Sequence, residues 1–113
     1  MSREFDLYIE SGRKRIEQLK NYDVVAREVK NIVQKILGEV DVYVFGSVVE
    51  GKITASSDID ILIIVDDVSR EEAYRIKTMI YQSIDAPIEL HVISSSEFEN
   101  WYKKFVGKLK RID

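Results

Sequence analysis

At 113 residues the chain has the length of one domain, with 45% hydrophobic residues to build a core and 33% charged residues to solvate it. No cysteine and a single histidine exclude a disulfide scaffold, a thiolate metal centre and a histidine-rich zinc site. A net charge of -3 with interleaved signs gives no broad basic face for nucleic acid, and no apolar run approaches the length of a membrane span or a signal-peptide core. A cytoplasmic protein forming one domain over residues 1–113 is the expectation.

Residues 3 to 20 place Phe5, Ile9, Gly12, Ile16 and Leu19 at helical spacing, which predicts an amphipathic helix weakened near Gly12. Asp23 is positioned to cap a second helix with Val25, Val29, Ile32, Val33 and Ile36 on one face, and Gly38 supplies its stop. Val40 to Phe45 alternates in β-branched and aromatic residues and reads as a strand ended by Gly46. Ser47 to Gly51 suits one short helical turn, and Lys52 to Ser57 a polar loop. Ile59 to Val65 is nearly continuous Ile, Leu and Val, the mark of a strand covered on both faces and central in its sheet.

Ser69 with Glu72 forms a capping-box pattern opening a helix to about Ile84, with Ala73, Ile76, Ile80 and Ile84 as its buried stripe. Pro87 precedes a third strand, Ile88 to Ile93, where its missing donor is tolerated. Ser96 with Glu99 forms a second capping-box pattern. It opens a last helix to the C-terminus lined by Phe98, Trp101, Tyr102, Phe105 and Leu109, a stripe suited to core or interface rather than to a cofactor. The basic residues Lys103, Lys104, Lys108, Lys110 and Arg111 suit the negative end of that helix, with a patch for an acidic partner as the alternative. The order predicts an α/β (α+β) fold with a mixed sheet of about three strands and helices mainly on one face, leaving the other face for a site.

Asp58 and Asp60 stand in a segment otherwise fit for burial, where ionised carboxylates require a cationic partner. Side chains two apart on a strand share a face, with Cα atoms about 6.5 to 7 Å apart, so the pair is expected to project together. Glu89 interrupts the third strand between Ile88 and Leu90, with His91 on its own side. If the second and third strands are neighbours, three carboxylates converge. Their repulsion would be relieved by two Mg²⁺ ions, and such a pair can stabilise the attacking and leaving oxygens of a phosphoryl displacement. Gly46 lets a phosphate approach the backbone, and Ser47 offers a hydroxyl and a helix start. Taken singly, Asp-x-Asp and Gly-Ser are commonplace, Glu89 is an ordinary solvent-facing strand residue, and His91 reads as a neighbour on the open face rather than a ligand.

The ordered set, FGS at Phe45 to Ser47, SDIDILI at Ser57 to Ile63 and IELHVI at Ile88 to Ile93, resembles the DNA polymerase β-type nucleotidyltransferase superfamily. It is most similar to the minimal branch, the small stand-alone MNT-type proteins of archaea and bacteria. The resemblance implies two Mg²⁺ ions and a nucleoside triphosphate donor, with ATP supplying AMP. It implies that Asp58 and Asp60 bind both metals and that Glu89 binds the catalytic metal and helps orient or deprotonate the acceptor hydroxyl. Gly46 and Ser47 would contact the donor's phosphates. Relatives often carry an arginine soon after the Gly-Ser pair, where this chain has Val48, Val49 and Glu50, which makes Lys52 the nearest cationic substitute.

The chain leaves no room for an acceptor-binding domain, so a second copy or a partner protein is expected to supply that surface. By resemblance the partner is a helical HEPN toxin whose tyrosine receives AMP, this chain acting as antitoxin. Two other readings stay open: a non-catalytic module that neutralises such a partner by complex formation, and a transferase subunit acting on a small molecule or RNA.

Overall fold

The computed structural model describes residues 3–105 and 107–113. The aliphatic run predicted as a central strand is β2 (Ile59–Ile64). It lies between β1 (Asp41–Phe45) and β3 (Ile88–Ile93) in a sheet of order β3-β2-β1-β4, where β4 is Lys110–Arg111. β1 and β2 are antiparallel, with Phe45 opposite Asp60. β2 and β3 are parallel, with Asp60 opposite Glu89. The parallel pair needs a crossover, and α4 (Arg70–Ser83) provides it. The remaining helices are α1 (Arg3–Lys20), α2 (Tyr22–Leu37) and the single turn α3 (Ser47–Glu50).

Alternation divides the sheet cleanly. Val42, Val44, Ile59, Ile61, Ile63, Ile88 and Leu90 face a core completed by Val25, Ala26, Val29 and Val33 of α2, Ile76 and Ile80 of α4, and Leu19 of α1. Each fully buried aliphatic side chain there contributes about 1.5–3 kcal/mol. The opposite face carries Tyr43, Phe45, Asp60, Leu62, Glu89 and His91, as the registers require. α1 contributes less than its pattern suggested: Leu19 is buried, but residues 3–14 are exposed, Phe5 and Ile9 by 48% and 37%. β3 is an edge strand, and the Tyr81 hydroxyl accepts from the Leu90 N–H at 3.0 Å, closing one of its open donors.

Several local expectations are revised. Asn21, not Asp23, occupies the cap position of α2; Asp23 is the second residue of the helix, in its first turn, and faces Arg27 at 3.9 Å. Gly38 ends that helix as expected, with φ of 83°. Ser69 accepts from the Glu72 N–H at 3.1 Å, as expected. The second capping box is Ser94 with Glu97, rather than Ser96 with Glu99. The chain turns earlier because Asp66, at the end of β2, accepts from both the backbone N–H and the hydroxyl of Ser95.

The last segment differs most. The expected final helix forms as one helical run from Ser95 to Phe105, with a π-helical stretch at Phe98–Tyr102, but it does not continue to the C-terminus, and the chain returns as β4. The expected packing of Trp101 and Phe105 lies outside the described residues. Low helix propensity at Gly107 and the open edge of β1 together explain the change: pairing along that edge satisfies backbone groups that a solvent-exposed helix end leaves to water. The sheet therefore has four strands rather than about three. Phe98 stacks on Tyr43 at 5.4 Å between ring centroids, so this segment covers part of the second face and the helices are not confined to one side.

β4 is held from several directions. The Ile112 N–H donates to Val42 O at 2.9 Å, Arg111 pairs with Asp41 at 3.1 Å, and the Ile112 side chain is buried. Lys30, a buried lysine of α2, donates to the Ile112 carbonyl at 2.8 Å. Replacing it with methionine keeps the aliphatic packing but orphans that carbonyl. Lys30→Met should therefore lower the unfolding free energy by about 1–3 kcal/mol in urea denaturation.

The Ser95 hydroxyl, and then its backbone N–H, holds the Asp66 carboxyl below the ordinary aspartate range. A depressed native value means the contact contributes fully at neutral pH and is lost only as pH falls through that value. In an NMR titration the Asp66 carboxyl should have a midpoint below that of an unpaired aspartate, and Ser95→Ala should raise it.

Candidate functional site

The site begins where β1 runs out. Gly46 follows Phe45 with φ of 86° and ψ of -159°, a backbone region essentially reserved for glycine. That bend starts α3, so Ser47 is half-buried at its first position, next to the strand end. Glycine is required there for a second reason. A Cβ at Gly46 would run into the Asp60 carboxylate, with Asp60 Cγ only 3.3 Å away. Gly46 and Asp60 are thus packed against each other, backbone to carboxylate.

Asp60 is held on β2 between Phe45 of β1 and Glu89 of β3. Glu89 and His91 lie two apart on β3 and share its face. Ligand atoms of Asp60, Glu89 and His91 all fall within 4.8 Å of one another. Glu89 is exposed, and the Asp60 side chain keeps 23% of its surface. The His91 ring sits against Phe45, with ring centroids 5.3 Å apart and the planes tilted by 49°, and meets Tyr102 at 6.2 Å, nearly edge-on. Its Nε2 is buried without a hydrogen-bond partner, 3.7 Å from Asp60 Oδ1, too far for a hydrogen bond.

Asp58 is placed differently. It precedes β2, so strand alternation does not govern it, and it stands outside the cluster of Asp60, Glu89 and His91. Its carboxylate pairs with Arg15 of α1 at 3.0 Å. Arg15 also donates to the carbonyls of Ala55 and Ser57, at 3.1 and 2.8 Å. The loop is further tied by Ser57, whose hydroxyl accepts from the Thr54 N–H at 2.9 Å. Because the Arg15 and Asp58 side chains are 38% and 47% exposed, the ion pair itself is worth no more than about 1 kcal/mol. The carbonyl contacts make Arg15 chiefly a brace for the loop. Lys52 is exposed just after α3, its N–H donating to Ser47 O at 2.9 Å.

Of the residues singled out in the sequence, the structure therefore brings Gly46, Asp60 and Glu89 together, with Ser47 adjoining, and keeps Asp58 on the Arg15 brace. Two contributors were not anticipated. His91 was legible as a same-face neighbour of Glu89, but its unpartnered nitrogen beside Asp60 depends on the pairing of β2 with β3. Arg15 gave no signal, because its role rests on a contact between α1 and a loop some forty residues later. An open cleft of about 490 Å³ bordered by Asp41, Ile64, Asp66 and Ser95 lies at the other end of the strands and has no part in this grouping.

The donor set suits a divalent cation. Two carboxylates and an imidazole nitrogen converge from neighbouring strands, and one of these atoms is buried without any other partner. Among the described residues no helix is long and apolar enough to cross a membrane.

Residues 26–113 match the family model of the nucleotidyltransferase domain, which leaves α1 outside the match. A crystal structure provisionally assigned as a nucleotidyltransferase shares 33% identity, covers 77% of this chain and 96% of its own, and superposes with a TM-score of 0.64. A second, from Sulfolobus solfataricus and assigned in the same provisional way, is 23% identical, covers 88% of this chain and 82% of its own, and has a TM-score of 0.55. It bears on the fold alone. No curated protein sequence matches the chain.

Both the φ of Gly46 and the approach of Asp60 oppose any side chain at position 46. Gly46→Ala should lower stability by about 1–3 kcal/mol in urea denaturation and shift the side-chain carboxyl resonance of Asp60.

Proposed function

This chain belongs to the nucleotidyltransferase domain family, and we propose that it moves AMP from ATP onto a hydroxyl of a partner protein, with a divalent cation, Mg²⁺ by the family resemblance, as cofactor. The observation that carries the proposal is the convergence of Asp60 and Glu89, from adjacent strands, directly beside the Gly46-Ser47 bend.

Asp60 and Glu89 would hold the cation, and Asp58 would join them when its carboxylate leaves Arg15. Bound divalent cations supply charge neutralisation for a triphosphate and favour the ionised form of an attacking hydroxyl. The chain's own contributions follow from where its groups stand. Gly46 presents backbone without a side chain, so a phosphate can approach closely, and the Ser47 hydroxyl can donate to its oxygens. Lys52, exposed beyond α3, offers the cationic charge that Val48, Val49 and Glu50 do not. Glu89, the most open of the three clustered groups, faces the side from which an acceptor must come and is suited to accept its proton. The acceptor oxygen then bonds to the α-phosphorus, the bond from that phosphorus to the bridging oxygen breaks, and pyrophosphate departs.

The acceptor is proposed to be a tyrosine of a helical HEPN-type toxin, with this chain as the antitoxin. Support comes from the likeness to MNT-type proteins and from the shape of the site, whose reactive face is open at Glu89. An extended acceptor such as a protein hydroxyl can reach such a face.

Purified chain, ATP labelled at the α-phosphate, Mg²⁺ and a helical HEPN-type protein form the direct test. Label should appear on a tyrosine of that protein. Asp60→Asn should reduce transfer at least about 10²-fold, the scale on which removal of one electrostatic contributor acts. Undiminished transfer by Asp60→Asn would overturn the assignment of the site. Equal neutralisation of the partner by wild type and Asp60→Asn would favour inhibition by complex formation, and label on RNA or a small hydroxylated molecule alone would move the acceptor.

A further inference from the structure

We propose that His91 is itself a ligand of the cation held by Asp60 and Glu89, and that its nitrogen makes the site favour a first-row transition ion of the Mn²⁺ type over Mg²⁺. The inference rests on the reading of this cluster as a cation site and goes on to name the class of ion.

The geometry supports it at three points. His91 Nε2 is buried and without a hydrogen-bond partner, although Asp60 Oδ1 stands 3.7 Å away and Glu89 belongs to the same cluster. An unpaired polar atom is unfavourable in such a place, and a neighbouring group positioned to satisfy it would ordinarily have closed to hydrogen-bond distance. Its separation of 3.7 Å from Asp60 Oδ1 is too long for a hydrogen bond and suits two ligands of one ion. With bonds of about 2.1 Å, ligand atoms lie about 3 Å apart at a right angle and about 4.2 Å apart when opposite. All three ligand atoms lie within 4.8 Å of one another, and the exposed Glu89 side chain is free to turn toward a shared ion.

The ring is also fixed before any ion arrives. It is backed by Phe45 and met by Tyr102, and it rides on β3 opposite Leu62, which is fully buried. A ligand already held in place loses little freedom on binding. The chemistry then separates the ions. Mg²⁺ prefers oxygen ligands and sheds water reluctantly, whereas imidazole nitrogen suits first-row transition ions. A site made of carboxylates alone would show much less of that separation.

The chain has one histidine, which makes the test unambiguous. Mn²⁺ is titrated into the whole chain and the bound ion examined by electron paramagnetic resonance with pulsed detection of coupled nitrogen. A ¹⁴N coupling typical of directly bound imidazole is expected, and growth with ¹⁵N-labelled histidine should convert it to the ¹⁵N pattern. In His91→Gln the coupling should vanish and Mn²⁺ affinity fall roughly tenfold or more, at least the loss typical of an outer-sphere partner, while Mg²⁺ affinity changes less than about twofold.

Mn²⁺ bound in the wild type without histidine nitrogen coupling would overturn the inference and leave the carboxylate site standing. So would equal loss of both ions in His91→Gln. Failure of Mn²⁺ to bind, or binding unaffected by Asp60→Asn, would instead remove the cation site itself. Should His91→Gln not fold, the isotope comparison in the wild-type chain decides alone.

Discussion

Asp60 stands where two strand registers cross, opposite Phe45 on β1 and Glu89 on β3. Side chains alternate along a strand, so a slip of either pairing by one residue would send Asp60 or Glu89 into the aliphatic core under α2 and α4. The core therefore does more than stabilise the sheet: Ile59 and Ile61, fully buried on one face, hold Asp60 to the other. Gly46 completes the constraint from the neighbouring strand end, because only a residue without a side chain leaves room for the Asp60 carboxylate there.

The rest of the fold serves this arrangement at a distance. α4 makes the parallel pairing of β2 with β3 possible, and Tyr81 on that helix closes a donor at the edge of β3. The C-terminal segment does two things at once. Its aromatic residues cover part of the face that carries the acids, with Phe98 on Tyr43 and Tyr102 against His91. Its last residues then close the open edge of β1 as β4, held by Lys30. Glu89 remains open while the histidine beside it is partly covered and its Nε2 buried, so one cluster offers both a reachable carboxylate and a preset nitrogen.

Asp58 shows a different kind of control. Its neighbour Ser57 is buried and bonded within the loop, while its own carboxylate is exposed and tied to Arg15 on a helix outside the family match. An exposed ion pair is weak, so this tie opposes any competing cation only slightly. The loop itself is held more firmly, through the two carbonyl contacts of Arg15.

Much of this is legible in the sequence alone. Hydrophobic alternation and aliphatic runs identified α2, α4 and the three long strands, and the order of Gly46-Ser47, Asp-x-Asp and Glu89 pointed to the family. The patterns are local, and local periodicity is what determines which face of a strand a residue occupies. Three things were decided only by tertiary structure. The tail became β4 rather than helix because the edge of β1 was open, a fact no window around Lys110 contains. The second capping box moved to Ser94 because Asp66, from the end of another strand, captured Ser95. Asp58 pairs with Arg15, and His91 stands beside Asp60, because Arg15 and the pairing of β2 with β3 act between residues far apart in sequence. The chain determined by itself which residues carry charge into an apolar sheet; long-range pairing alone decided which of them meet.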